Sequence, residues 1–220
     1  MIEKVNLAGW DTSKLTNVLE MFERCYHIKS IDLTGWDFSK ISTTNARMIF
    51  SACLNLTELK MDKNLSFEAA TSFQDMFNSC YSLENNPLNG ATIEMNKVTT
   101  LTSMFAWNFA LKEMDMTNWD FTAVTTTTNM FQGCQSLKKV IFPSTCKTLT
   151  NSTLNLCFNL ETIIVLATTP PTYALTATYL SYFNPNYKIY VPDESVEDYK
   201  AATGWLNAAS HIYGISELES

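Results

Sequence analysis

The six cysteines are the side chains in this sequence best able to do chemistry. A thiolate can attack an electrophile, hold a soft metal or close a disulfide. Five of them, Cys25, Cys53, Cys80, Cys134 and Cys157, follow a large apolar residue by three positions: Phe22, Phe50, Phe77, Phe131 and Leu154. A catalytic or metal site needs unlike groups converging on one point, whereas an evenly recurring thiol reads as a ladder of small buried side chains. The two histidines, His27 and His211, have neither a cysteine nor a second histidine at ligand spacing, so no metal is expected. The six glycines are scattered, and no phosphate loop, nucleophile elbow or Cys–His signature occurs. Asp11, Asp37 and Asp120 each follow a tryptophan (Trp10, Trp36, Trp119) and recur with the same rhythm. They read as acceptors closing Asx-turns. The expectation is a chain without catalytic residues, cofactor or metal.

The elements that position these residues follow from the same rhythm. Counting Phe105 with the five apolar positions, the intervals are 28, 27, 28, 26 and 23 residues. A period in this range signals stacked supersecondary units, each too small to bury its own apolar face. Alternating apolar residues such as Ile31 and Leu33 predict one short strand per unit, half-buried. The segment after it places Leu15, Val18, Met21, Phe22 and Cys25 at three- and four-residue spacing, which predicts a short helical turn. Strands about 4.8 Å apart against helices about 10 Å apart would curve the stack, with the sheet on the inside. The same helix spacing would hold the ladder cysteines too far apart for disulfides. The fold class read from this is an α/β repeat: a leucine-rich-repeat solenoid with a parallel concave sheet, helical turns on the convex side and a C-terminal cap. Residues 1–167 form the array of about six units and residues 168–220 a strand-plus-helix cap. The pattern breaks at Asn85-Asn86-Pro87-Leu88-Asn89-Gly90, so the sheet is expected to thin or bulge near residues 84–98.

Composition narrows the partners. The net charge is −7 and the sequence pI about 4.8, against the clustered Lys and Arg that nucleic acids or anionic membranes require. No apolar run approaches the roughly 18–20 residues that span a bilayer. Ile2-Glu3-Lys4-Val5-Asn6-Leu7 already fits the strand phrase, so the chain reads as beginning inside a repeat array.

The phrases LTGWDFSKIST…MIFSACLNLTELKM and TNMFQGCQSLKKVIFP, with the tail KIYVPDESVEDYKAATGWLNAASHIYGISE, resemble the BspA-like leucine-rich-repeat proteins over essentially the whole chain. The Trp-Asp and Met-Phe-xx-Cys phrasing is also similar to bacterial surface-protein repeats known as a domain of unknown function. The resemblance implies an exported or cell-surface location and adhesion to host or microbial proteins, such as matrix or mucosal proteins. It carries no motif of functional residues. Two other readings stand beside a protein-binding module: a spacer on the cell surface and a carbohydrate-binding module, the latter drawing on Trp107 and Tyr190.

Strand alternation then selects the partner face. If Ile31 and Leu33 point inward, Asp32 points out, and the same count puts Lys60, Asp115, Ile141, Ile164, Leu166 and Tyr190 on the outer face of the sheet. These seven residues are the expected partner-binding positions. The apolar ones cluster toward the C-terminal half and are either an open patch or are covered by the loop at residues 168–186, with Tyr173, Tyr179, Tyr182 and Phe183.

Overall fold

The computed structural model describes residues 1–218 apart from Thr43, Asn89, Asn151 and Ala174. Short parallel strands stack in chain order into a solenoid of about eight turns. Strands β1 (Lys4–Asn6), β2 (Ser30–Asp32) and β3 (Glu58–Lys60) make one sheet. Strands β4 (Asn64–Ser66) and β5 (Thr92–Glu94) make a second. Strands β6 (Glu113–Asp115), β7 (Lys139–Phe142), β8 (Thr162–Val165), β9 (Lys188–Val191) and β10 (Ile212–Gly214) make the third. Inward residues fall into register from turn to turn: Val5, Ile31 and Leu59 in the first sheet, then Met114, Val140, Ile163, Ile189 and Ile212 in the last.

The expected helical turn of each unit is replaced by a chain of tight turns. In the first unit the N–H groups of Met21, Glu23, Cys25 and Ile28 donate to carbonyls three residues back. The intervening N–H groups of Val18, Glu20, Phe22 and Arg24 cross to Asn45, Arg47, Ile49 and Ser51 of the next turn at 2.8–3.3 Å. A helix would keep all its N–H groups to itself. Here alternate peptides are turned outward by left-handed residues four apart: Glu20 and Arg24, Met48 and Ala52, Asp75 and Ser79, Ser103 and Trp107, Asn129 and Gly133. Each non-glycine in that conformation costs about 1–2 kcal/mol, and the hydrogen bonds gained between turns offset it. Successive turns bury every third or fourth residue, so their apolar spacing imitates a helix. Among the described residues α-helix is confined to α1 (Ala177–Leu180) and α2 (Val196–Ala201).

This changes the predicted curvature. The rings of Phe22, Phe50, Phe77, Phe105 and Phe131 stack with centroids 5.1–5.6 Å apart and planes within 11°. That is close to the strand spacing on the other side, so no wide convex layer of helices bends the stack. The expected 10 Å step, and the argument from it against disulfides, does not hold.

The irregular middle is where the sequence placed it. No strand forms at residues 84–86; Glu84 O accepts from Lys112 N, and the Asn86 amide donates to Asp115 O at 2.9 Å. β4 and β5 instead pair along a different line, continued by an isolated bridge from Ile93 to Trp119. Asn89 of the predicted break lies outside the described residues. Beyond residue 168, β9 falls on the predicted Lys188-Ile189-Tyr190-Val191, and Tyr199, Trp205 and Ala208 of the following segment are buried. Ser195 precedes α2 but is buried and makes no capping hydrogen bond.

Candidate functional site

The seven predicted positions occupy the outer face of the sheets, but they do not form one open surface. Asp32 is in register with Asn6 and Lys60. Its carboxylate accepts from Thr34 N at 3.0 Å and Thr34 Oγ1 at 2.7 Å, and those bonds hold its pKa below the usual carboxylate value. Asp115 makes the same pair of bonds to Thr117 at 2.9 and 2.6 Å. Both aspartates are therefore engaged in closing the turn after the strand. Lys60 is exposed and lies 3.7 Å from Glu58.

Across the last sheet Asp115, Ile141, Ile164 and Tyr190 of the seven run in register, and Tyr213 continues the row. Ile164 and Tyr190, in the middle, are only 5% exposed, while Ile141 at one side, Tyr213 at the other and Leu166 beyond are half-buried. Ile164 and Tyr190 stand outside the main core cluster and are hemmed in by in-register neighbours. The loop at 168–186 spends three of its four aromatics elsewhere: Tyr173 on Trp205, Phe183 on Tyr187 and Tyr182 on Phe158. Ile164 and Tyr190 thus offer a partner little area.

The ladder thiols are equally committed. Cys53, Cys80, Cys134 and Cys157 point Sγ at the carbonyl oxygen of the Phe-type residue one turn earlier (Phe22, Phe50, Phe105 and Phe131), at 3.1–3.2 Å. All six cysteines are free. Burial pushes Cys53 and Cys134 up to about 12 and raises Cys80 and Cys157 in the same direction. A thiol so disposed is neither nucleophile nor ready ligand at neutral pH. The Trp-Asp pairs behave as predicted: Asp11, Asp37 and Asp120 accept from Ser13, Ser39 and Thr122 N at 2.9–3.0 Å.

One row escaped the sequence reading. The residue after each ladder position is Tyr26, Leu54, Tyr81, Phe109, Gln135 and Phe158. Tyr26, Tyr81 and Phe158 are 43%, 40% and 46% exposed, and the Tyr81 and Phe109 rings lie 4.8 Å apart. Trp107 packs edge-on against Phe109, and its indole also lies where a Cβ on Gly133 would fall. The signal was legible, since four of the six residues in this column are aromatic, but attention to the buried column beside it hid it.

Two overlapping stretches, residues 3–91 and 60–158, match the family described as Mycoplasma protein of unknown function, DUF285. The chain belongs to the DUF285 family. A comparison with curated proteins finds no match.

In this DUF285 chain the surface hollows are shallow. One, of about 460 Å³, is a cleft between Pro170, Pro171, Tyr173, Gly204, Trp205 and Asn207. Among the described residues no cluster of three His, Cys, Asp or Glu side chains could hold a metal ion, and no helix is long and apolar enough to cross a membrane.

Proposed function

We propose that this chain is a non-catalytic binding module of the BspA-like leucine-rich-repeat kind, displayed at the cell surface or secreted, whose ligand is a host or microbial protein. The observation that carries the reading is the construction of its lateral faces. Equivalent residues of successive turns line up in straight rows, and the backbone ladder between turns fixes their spacing. Such a surface is extended, rigid and tolerant of substitution, which suits recognition from many turns at once. The outward strand row Asn6, Asp32 and Lys60 in the first sheet is polar and accessible, and it is the face offered here for the protein partner. Residues 168–220 close the array at its C-terminal end, as a cap over residues 1–167.

The test is retention of matrix and mucosal proteins on the immobilised chain, compared with a Lys60→Glu variant. Loss of a specifically retained protein in the variant, with an unchanged melting curve, is the expected result. Retention of no protein by the parent chain would remove the proposal.

A further inference from the structure

The exposed aromatic row has a different character from the strand face. Tyr26, Leu54, Tyr81, Phe109, Gln135 and Phe158 stand one per turn, about one strand spacing apart, so the row runs straight along the stack. Three of its six backbone carbonyls are already engaged, so no unbroken edge runs along it. Tyr26 O accepts from Asn55 Nδ2 at 2.6 Å, Leu54 O from Ser82 N at 3.2 Å, and Gln135 O from Asn159 Nδ2 at 2.7 Å. These bonds orient the Asn55 and Asn159 amides along the row, each with its Oδ1 as an acceptor.

Three properties select among ligands. The flanking charges are already paired between or within turns: Lys29 with Glu3 at 2.9 Å, Lys112 with Glu84 at 2.6 Å, Lys138 with Glu161 at 3.6 Å and Arg24 with Glu23 at 3.4 Å. A polyanion finds no unmatched cations there. An extended peptide adding to an edge needs unpaired backbone groups, and the row's carbonyls at Tyr26, Leu54 and Gln135 are occupied. A folded protein needs about 800 Å² of each partner. At roughly 200 Å² per aromatic side chain, the three exposed rings supply on the order of 300 Å². What remains is a narrow, uncharged, repeating ligand with apolar ring faces and hydroxyl edges.

We propose that this row is a track for a single chain of neutral linear polysaccharide, laid along the stack axis, with sugars packed on the exposed parts of Tyr26, Tyr81 and Phe158, beside the contacts Tyr81 makes with Phe109 and Phe158 with Tyr182, and hydroxyls on the Asn55 and Asn159 amides. It rests on the reading of the chain as a non-catalytic binding module, but not on the strand face as the protein's site.

The experiment is native affinity electrophoresis through gels containing laminarin, soluble starch, xylan, glucomannan or hydroxyethylcellulose, with heparin as the charged comparison. The parent chain is retarded by at least one neutral polymer, and Tyr26→Ala/Tyr81→Ala/Phe158→Ala, still folded by circular dichroism, raises that Kd at least tenfold. Tyr81→Phe, which keeps the ring, retains binding. Retardation by heparin alone, by no polymer, or equally in parent and triple variant overturns the track. Protein retention measured on the same samples separates the two ideas. A parent chain that retains a protein but no glycan overturns only the track; one that binds glycan but retains no protein overturns only the proposed protein ligand.

Discussion

Asn108 donates its side-chain amide to the carbonyl oxygen of Phe77 at 2.9 Å, the bond that Cys80 makes to Phe50 at 3.2 Å in the preceding turn. Asn108 thus stands in for the missing ladder cysteine and preserves its function by different chemistry. The substitution is imperfect, because Asn108 Oδ1 is buried without a partner.

Replacing Asn108 by cysteine should therefore stabilise the fold. The thiol keeps a bond to Phe77 O and removes an orphaned acceptor, whose burial costs about 1–3 kcal/mol. The second amide bond, from Asn108 Nδ2 to Phe105 O at 2.7 Å, is lost in either variant, but Phe105 O still accepts from Cys134 Sγ. Urea denaturation should show a higher midpoint for Asn108→Cys and a lower one for Asn108→Ala, which also loses the bond to Phe77 O. A cysteine variant less stable than the parent would mean that Asn108 is held there by a demand other than this ladder.

The sequence disclosed the period and the inward columns outside the irregular middle, because burial repeats at fixed positions and strand alternation is strict; it did not disclose that the strands divide into three sheets, with β4 and β5 on a line of their own. It did not disclose how the intervening segment is hydrogen-bonded. Leu15, Val18, Phe22 and Cys25 have helical spacing whether the N–H groups bond within the turn or across to the next. Only backbone dihedrals, such as those of Glu20 and Arg24, decide between the two. Ile164 and Tyr190 misled for a related reason: alternation tells which way a side chain points and nothing about what its neighbours cover.

The buried thiols make stability fall in alkali. Cys53, Cys134 and Cys146 are pushed by burial up to about 12 from an ordinary value of 9.0. A pKa raised in the folded state favours folding fully below the unfolded value, and that contribution disappears as pH rises toward the folded one. Each such thiol removes about 1.4 kcal/mol per pH unit in that window. Melting temperature should stay level up to about pH 8.5 and fall steeply above pH 9.5. At pH 8, alkylation of the native chain should be rapid at no cysteine but the half-buried Cys25, and all six should react after denaturation. A melting temperature unchanged to pH 11, or rapid native labelling of Cys80, would refute the buried ladder.

Gly133 is required twice over. Its φ of +73° is in the left-handed region, and an added Cβ would run into the Trp107 indole. Gly133→Ala should lose about 1–2 kcal/mol to backbone strain and a further share to displacement of the ring. In a Trp107→Ala background only the first loss remains. The double-mutant cycle should therefore show coupling of about 1 kcal/mol or more. Strict additivity would show that the indole moves aside freely.

The outer row of the last sheet gives the sharpest test of whether burial or orientation governs that face. Ile164 points away from the main core, yet it is 5% exposed, between Ile141 and Tyr190 in register. An aspartate there would be taken out of water between uncharged Ile141 and Tyr190; the lysines of that face, Lys139 and Lys188, stand one step along, in register with Thr162, and Asp115 already contributes a carboxylate to the row. Burying an unpaired charge is among the few single changes that remove several kcal/mol. Ile164→Asp should therefore lower stability by about 3 kcal/mol or more. Tyr190→Ala, which opens a gap between Ile164 and Tyr213, should lower it by about 2–4 kcal/mol. Lys60→Ala, on the same outward face but exposed, should change it by less than about 0.5 kcal/mol. Urea denaturation of the three variants decides the matter: if Ile164→Asp unfolds at the same midpoint as the parent chain, the row is open to solvent and the Ile141–Ile164–Tyr190 strip returns as a surface for partners.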